Sequence, residues 1–563
     1  MKSDPLIASD ITYRIIGIGI NHRKAVEDFR YIFAEKLHLK DTIEWEKDKD
    51  EVSCGGDRYI CCTYEQADAK KLLNEKGLVY KKDYYFAEDF FDLLNEWKGC
   101  RVAYRVDKTN IRSRIVSVIM EYAAKHGKVL PNDPQKDVLK GHYSAESRGN
   151  KKNRSVTAYI YYAYCLFFGT AEIIGQFIRG SKSYKDYDYI CFYNVADAIR
   201  FKKDNPSLSK KVITAEELKT HTLAPLYMKR VYFDKRQNAC VCDEPFGSFW
   251  VGKAGTTRIC DCPAFLDVGC GHIGVTEPAK LWGSQLAKIL RLSVINRTYT
   301  FCSRELCRKV RSHPDQPELL DRIVKLEEKE YPKKITIAYD RVCNLHCPSC
   351  RKNSITKNSE NEEAELNACT EALVDSGWLD KTDKLIIGGD GEVFLSEHYK
   401  WLLYKGDFKR KRIQIMTNGT LFTEREWEKI EGKYEYISIL VSVDAATKET
   451  YEKVRCGGNF DRLMKNMEFL SRLRRENKVN DVQVNMIVQR LNYKEIPDFI
   501  RWAKKMAFDR VFLSHIWNWG TFAEDEFENK VTMFEKNGKM GAELATVLED
   551  PICSDPIVDM RWN

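Results

Sequence analysis

Between residues 335 and about 515 the chain repeats one unit six times: a short apolar run, a turn, and a stretch with helical spacing. The runs are Ile335–Tyr339, Lys384–Ile387, Ile413–Met416, Ile437–Asp444, Val482–Val488 and Val511–Ser514. Their length and content of branched apolar residues predict strands, and a helix is predicted near Ile496–Ala507 before the last of them. Strands separated by helices pair in parallel, so this stretch has to fold as successive βαβ units. Parallel barrels carry their chemistry at the carboxyl ends of the strands. That is where the unusual residues of this chain fall.

The first strand runs into Cys343-Asn344-Leu345-His346-Cys347-Pro348-Ser349-Cys350. Thiolates are the usual ligands of iron–sulfur clusters. A cubane has four irons, so three cysteines leave one iron open to a substrate or cofactor. Cys-x2-Cys pairs also build zinc sites, but those want a fourth protein ligand at similar spacing, and His346 is poorly placed to be one. The ligand count favours a catalytic cluster on Cys343, Cys347 and Cys350. The second strand ends in Gly388-Gly389-Asp390-Gly391-Glu392 and the third in Thr417-Asn418-Gly419-Thr420. The fourth ends in Ser442-Val443-Asp444, and Arg455 follows eleven residues later. Glycines after a strand let backbone close on a ligand. The carboxylates of Asp390 and Glu392 can accept from an ammonium, and the guanidinium of Arg455 can fork onto a carboxylate. In isolation Arg455 also reads as a surface cation and Ser442 as a helix cap.

Together these motifs resemble the radical S-adenosylmethionine (radical SAM) family. The resemblance rests on the cysteine triplet, the Gly-Gly-Glu-Pro-like segment at Gly388 (here without the proline), the Thr-Asn-Gly turn, and a strand-end serine followed by Tyr451-Glu452-Lys453-Val454-Arg455-Cys456-Gly457. It implies an α/β fold with a partial (β/α)6 barrel inside a 333–563 domain. It also implies that Cys343, Cys347 and Cys350 hold a [4Fe–4S] cluster. Gly388, Gly389 and Asp390 would bind the methionyl amine of S-adenosylmethionine (SAM), with Glu392 as second candidate. Ser442 and Arg455 would contact its ribose or carboxylate, and Asn418, Asp444 and Asn485 complete the cofactor-binding set. The family's reaction cleaves SAM with one electron and takes hydrogen from an unactivated C–H bond through a 5′-deoxyadenosyl radical; the protein's part is to bind, orient and exclude water. A flavodoxin or ferredoxin is the electron donor this implies, and Cys456 is a candidate hydrogen donor.

A second concentration of cysteines lies upstream. Of the nineteen in the chain, seven fall between 240 and 307. Cys242, Gly255 and Cys260 fit the opening of the SPASM/twitch auxiliary-cluster domain of many radical SAM enzymes, and Cys302 and Cys307 follow after a gap. In between, His272-Ile273-Gly274-Val275, Lys280-Leu281-Trp282-Gly283-Ser284 and Ile289–Val294 resemble a further stretch of that domain. The resemblance implies one auxiliary [4Fe–4S] cluster on Cys242, Cys260, Cys302 and Cys307 in a 231–310 domain, with Cys240, Cys262 and Cys270 as substitutes. This domain stands before the core, whereas the family usually has it after. A zinc module stays open. Disulfides are disfavoured, because the catalytic triplet argues for a reducing, cytoplasmic compartment.

The remaining chain says less. Ile15-Ile16-Gly17-Ile18-Gly19-Ile20 with a helix over 22–36, and Tyr59–Thr63 with a helix over 65–76, open a Rossmann-like α/β domain at 1–150. Tyr159–Phe168 and Tyr187–Tyr193 suggest a second such unit at 151–230, the two joined near His142–Arg154. They look like the nucleotide-sugar-associated modules of surface-polysaccharide enzymes, though a structural or docking role is also open. A linker at 311–332, with a helix at 318–329, leads into the core. A net charge of +8 is mild for 563 residues, so clusters such as Lys409–Arg412 and Arg472–Arg475 read as solvated faces and no nucleic-acid partner is expected. Val156–Ala171 carries no charge but is too short for an ordinary span, and no signal peptide is read, so no membrane role is expected. The aromatics at Trp517–Trp519 could wall a substrate pocket. The substrate read from all this is a carbohydrate or nucleotide-linked small molecule that is oxidised or epimerised. Modification of a peptide or protein, of a nucleic acid, or a non-catalytic zinc scaffold are the alternatives.

Overall fold

The computed structural model describes residues 6, 11–54, 57–95, 100, 102–105, 184, 187–192, 194–235, 242–261, 269–302, 307, 329–405, 411–535 and 539–560. The readings at His142–Arg154, Val156–Ala171, Cys240, Cys262, Lys409-Arg410 and nearly all of the linker helix lie outside the described residues. The chain divides into two compact units. The first is Met1–Pro245 with Cys262–Gly271 and Lys280–Lys325, and the second is Phe246–Asp261 with His272–Ala279 and Leu326–Asn563. The 231–310 stretch is therefore shared out between them.

In the first unit, β1 (Thr12–Gly17), β2 (His38–Glu44), β3 (Arg58–Cys62) and β4 (Tyr84–Phe86) form a parallel sheet in the order β2-β1-β3-β4. This is the strand order of flavodoxin-like doubly wound sheets. The helix His22–Phe33 follows β1 because Ala25, Val26, Phe29, Ile32 and Phe33 recur at three- and four-residue spacing and are all buried. A second parallel sheet, β5 (Val102–Arg105), β6 (Tyr189–Phe192) and β7 (Val212–Thr214), pairs in chain order. Four of these strands, β2, β4, β5 and β7, were not legible as strands: β2 buries little of its length, and the others have three or four residues.

The second unit holds a ten-stranded sheet. Its strands are β8 (Ser248–Val251), β9 (Thr256–Arg258), β10 (Gly271–His272), β11 (Lys334–Ile337), β12 (Lys384–Ile387), β13 (Arg412–Thr417), β14 (Tyr436–Ser442), β15 (Asp481–Val488), β16 (Arg510–His515) and β17 (Val558–Met560). The order is β10-β9-β8-β11-β12-β13-β14-β15-β16-β17, with β11 to β16 parallel throughout. These six are the strands expected from the apolar runs, and they form the partial (β/α)6 barrel. Register places Ile337, Ile387, Ile415, Ile439 and Val482 side by side, all with no exposed surface. Such a row of branched residues pins the register, because a one-residue slip would turn every one of them to the opposite face. The sheet continues past the expected barrel on both sides. β8 joins β11 in parallel, and β17 joins β16.

Among the described residues no helix is long and apolar enough to cross a membrane. One charge is not the solvated cation expected of its cluster. Lys411 is buried, and its ammonium caps the carbonyls of Asp380 and Thr382 at the end of the helix Trp378–Lys381.

Candidate active site

The loop after β11 is folded back on itself before any ligand is considered. The Cys343 N–H donates to the Ile355 carbonyl at 2.7 Å, and the N–H groups of Cys350 and Arg351 both donate to the Cys347 carbonyl at 2.9 and 3.1 Å. The His346 N–H donates to the Cys456 carbonyl at 3.0 Å, tying this loop to the one that carries Arg455. Cys343 and Cys347 pack around Leu345 and are buried, whereas Cys350 and His346 are exposed. Burial pushes the Cys343 thiol up to about 11 and raises that of Cys347, which Arg455 partly offsets.

Each of the three sulfurs faces a nitrogen donor from a different place. Cys343 Sγ accepts from the Leu345 N–H at 3.4 Å and lies 3.8 Å from Asn418 Nδ2. Cys347 Sγ is 3.7 Å from an Arg455 guanidinium nitrogen. Cys350 Sγ accepts from Nε and a terminal nitrogen of Arg351, both at 3.4 Å. Donors aimed at sulfur suit thiolate more than thiol. Among the described residues no three His, Cys, Asp or Glu side chains close on one another as a single-ion site would.

The glycine segment after β12 sits against the same loop. Gly388 and Gly391 have φ of +104° and +82°, and a Cβ on either would fall 2.4 Å from the Met416 carbonyl oxygen or 2.5 Å from that of Asp340. Only glycine fits such close approach at positive φ. The two carboxylates there differ sharply. Glu392 has no exposed surface. Its oxygens accept from Thr417 Oγ1 at 2.6 Å, the Asn418 N–H at 2.7 Å and the Phe394 N–H at 3.2 Å. It is a bracket for the Thr-Asn-Gly turn with its acceptor sites occupied. Burial raises its carboxyl above the usual range despite those bonds. Asp390 keeps about a third of its side chain exposed (34%), between Arg341 at 3.5 Å and Arg351 at 3.8 Å. Of the two, Asp390 is the one with room for an ammonium.

At the end of β14 the chain turns through Asp444, which has φ +67° and is buried. Its backbone N–H donates to the Asn485 carbonyl at 3.2 Å and its carbonyl accepts from Asn492 Nδ2 at 2.8 Å, which holds a conformation that costs a non-glycine residue. One carboxylate oxygen accepts from the Ile487 N–H at 2.8 Å and the other pairs with Arg455 at 2.8 Å. Asp444 thus aims Arg455 at Cys347. Ser442 ends β14 opposite Asn485 on β15, whose side-chain oxygen lies 3.5 Å from Ser514 Oγ. The expected core-site residues therefore fall at strand carboxyl ends or on the loops that follow, except Asn485, which sits inside β15 three residues before its end. Arg351, Arg341 and Thr417 were missed. The signal for Arg351 was a cation directly after the third cysteine.

The sequence profile of the Radical SAM superfamily matches residues 337–503. This stretch is a radical SAM domain. Curated relatives include a tungsten-containing aldehyde ferredoxin oxidoreductase cofactor-modifying protein of Pyrococcus furiosus, 22% identical over 179 residues, covering 31% of this chain and 49% of the relative. Another is the GTP 3′,8-cyclase of Synechocystis sp., 22% identical over 182 residues, covering 32% and 53%. The chain spans about half the length of the curated relatives it matches. Among solved structures, Streptococcus suis SuiB bound to S-adenosylmethionine aligns at TM-score 0.28 and 15% identity over 38% of this chain and 50% of that one. Radical SAM enzymes use a [4Fe–4S] cluster and SAM. Here three thiols with aimed N–H donors, beside an open carboxylate, fit that pair chemically.

Burial, then the charges of Cys307 and Cys242, raise the Cys302 thiol far above its ordinary value, and all three belong to the first unit. Cys260 is buried in the second unit, and burial pushes Cys270 up to about 12. The Trp282–Arg291 stretch is well tied. Ser284 caps the helix Gln285–Ile295, and Arg291 donates to the carbonyls of Pro245 and Trp282 at 2.9 and 3.0 Å while lying 4.2 Å over the Trp282 ring.

Proposed function

We propose that this radical SAM enzyme takes hydrogen from a C–H bond of a carbohydrate or nucleotide-linked substrate, with net oxidation or epimerisation. When bound, the cluster and SAM supply the one-electron cleavage that gives the 5′-deoxyadenosyl radical. Cys343, Cys347 and Cys350 would hold the cluster. The backbone at Gly388 and Gly389 and the carboxylate of Asp390 would receive the methionyl amine, while Glu392 keeps the Thr417-Asn418 turn in place. Arg455, aimed by Asp444, carries positive charge for the SAM carboxylate, and Ser442 and Asn485 offer polar groups to its ribose. Cys242, Cys302 and Cys307 would contribute to an auxiliary cluster, and a flavodoxin or ferredoxin would deliver electrons.

The observation that carries the reaction class is the convergence of three separately aimed N–H donors on the three sulfurs at the strand carboxyl ends. The finer substrate reading leans on the flavodoxin-like strand order of the first unit, a frame that binds nucleotides at its switch point. Anaerobic reconstitution followed by SAM and dithionite is expected to yield 5′-deoxyadenosine, and Cys347→Ala to yield none. A wild-type chain that takes up zinc but no iron refutes the reaction. With carbon-deuterated sugar nucleotides, deuterium should appear in 5′-deoxyadenosine; transfer from peptides alone would overturn the substrate class.

A further inference from the structure

Arg351 is buried (6% exposed) although it follows the exposed Cys350. A buried guanidinium needs an anion or the desolvation cost is not met. One terminal nitrogen donates to the Arg341 carbonyl at 2.6 Å. Nε and the other terminal nitrogen form a fork whose two prongs both meet Cys350 Sγ at 3.4 Å. The nearest carboxylate, that of Asp390, is farther off, with one oxygen at 3.8 Å while its other oxygen faces Arg341 at 3.5 Å. The other sulfurs are served differently. Cys343 faces neutral donors, and the cation facing Cys347 is matched by Asp444 at 2.8 Å. Among the described residues near the triplet, Arg351 is the guanidinium that lies closer to sulfur than to any carboxylate.

We propose that Arg351 is a positioning residue that sets the reduction potential of the cluster through Cys350. This rests on the cluster assignment made above. Reduction adds one electron from a low-potential donor and no proton, so the site becomes more negative while the guanidinium keeps its charge. A cation fixed on one ligand sulfur stabilises that added charge, and hydrogen bonds to sulfur are a recognised control on such potentials. Asp390 opposes it by partly neutralising the same guanidinium.

The test is an EPR-monitored redox titration of the reconstituted, SAM-free chain, with iron content measured on each sample. Arg351→Gln should move the midpoint to more negative potential, by about a tenfold fall in the reduced-to-oxidised ratio at fixed potential, or about 59 mV for one electron. Asp390→Asn should move it the other way, and Arg351→Lys, which keeps the charge but loses the fork, should fall between wild type and Arg351→Gln. A wild-type midpoint in Arg351→Gln at equal iron content overturns the inference. Should Arg351→Gln fail to load iron, the absence of a positive shift in Asp390→Asn overturns it instead. If wild type cleaves SAM while these midpoints stay put, only this inference fails. A wild type that takes up no cluster removes the proposed function as well.

Discussion

Glu392 and Asp390 stand two positions apart in sequence and do opposite work. Glu392 accepts three hydrogen bonds with no exposed surface, so its contribution is to fix one loop on another. Glu392→Gln keeps the shape but turns one acceptor oxygen into a donor facing a donor. An unsatisfied buried group costs about 1–3 kcal/mol, and urea unfolding should read a loss of that size. Asp390→Asn, half-open and paired at longer range, should cost far less. Sequence alone offered both carboxylates for the amine of SAM. What separates them is burial and the number of donors each already meets, and neither quantity is written in the motif. Arg351 was illegible for a related reason: beside a ligand cysteine it reads as a loop residue until the fold turns its side chain back onto the sulfur.

At the level of strands and helices the six barrel strands were plain, because each is an apolar run long enough to fill one layer and is followed by turn residues. β8 was hidden in a segment whose cysteines drew the reading, and β17 is three residues with no buried position. The helix Phe460–Arg475 shows how a cluster of cations misleads. Arg472 and Arg475 are surface groups, but Arg474 forks onto Asp509 at 2.7 and 2.8 Å. Asp509 also accepts from the Val482 N–H at 2.8 Å, which ties helix to sheet. Burial works against ionisation of Asp509, but the Arg474 fork and the backbone donor outweigh it and hold the carboxyl below its usual range. The stability this adds is present above the unfolded carboxylate value of about 3.9 and is lost as pH falls through the lower folded one. Asp509→Asn should therefore lower stability by about 1 kcal/mol at neutral pH, a figure reduced for partial exposure. The difference from wild type should close in melts taken at progressively more acid pH.

Across the whole molecule the cysteines are distributed unevenly between surface and interior. Those described are mostly buried or half-buried, and in the first unit Cys61 and Cys62 are sealed in its parallel sheet. The exposed ones are Cys54 in the first unit and Cys350 in the second. An alkylating reagent such as iodoacetamide, given briefly to the metal-free chain, should thus modify these two ahead of Cys343 and Cys347. Peptide mass mapping before and after anaerobic loading then becomes a footprint. Cys54 should stay reactive as an internal control, while Cys350 drops out of the labelled set, so that one corner of the triad reports its own occupancy without any colour, spin or turnover being measured.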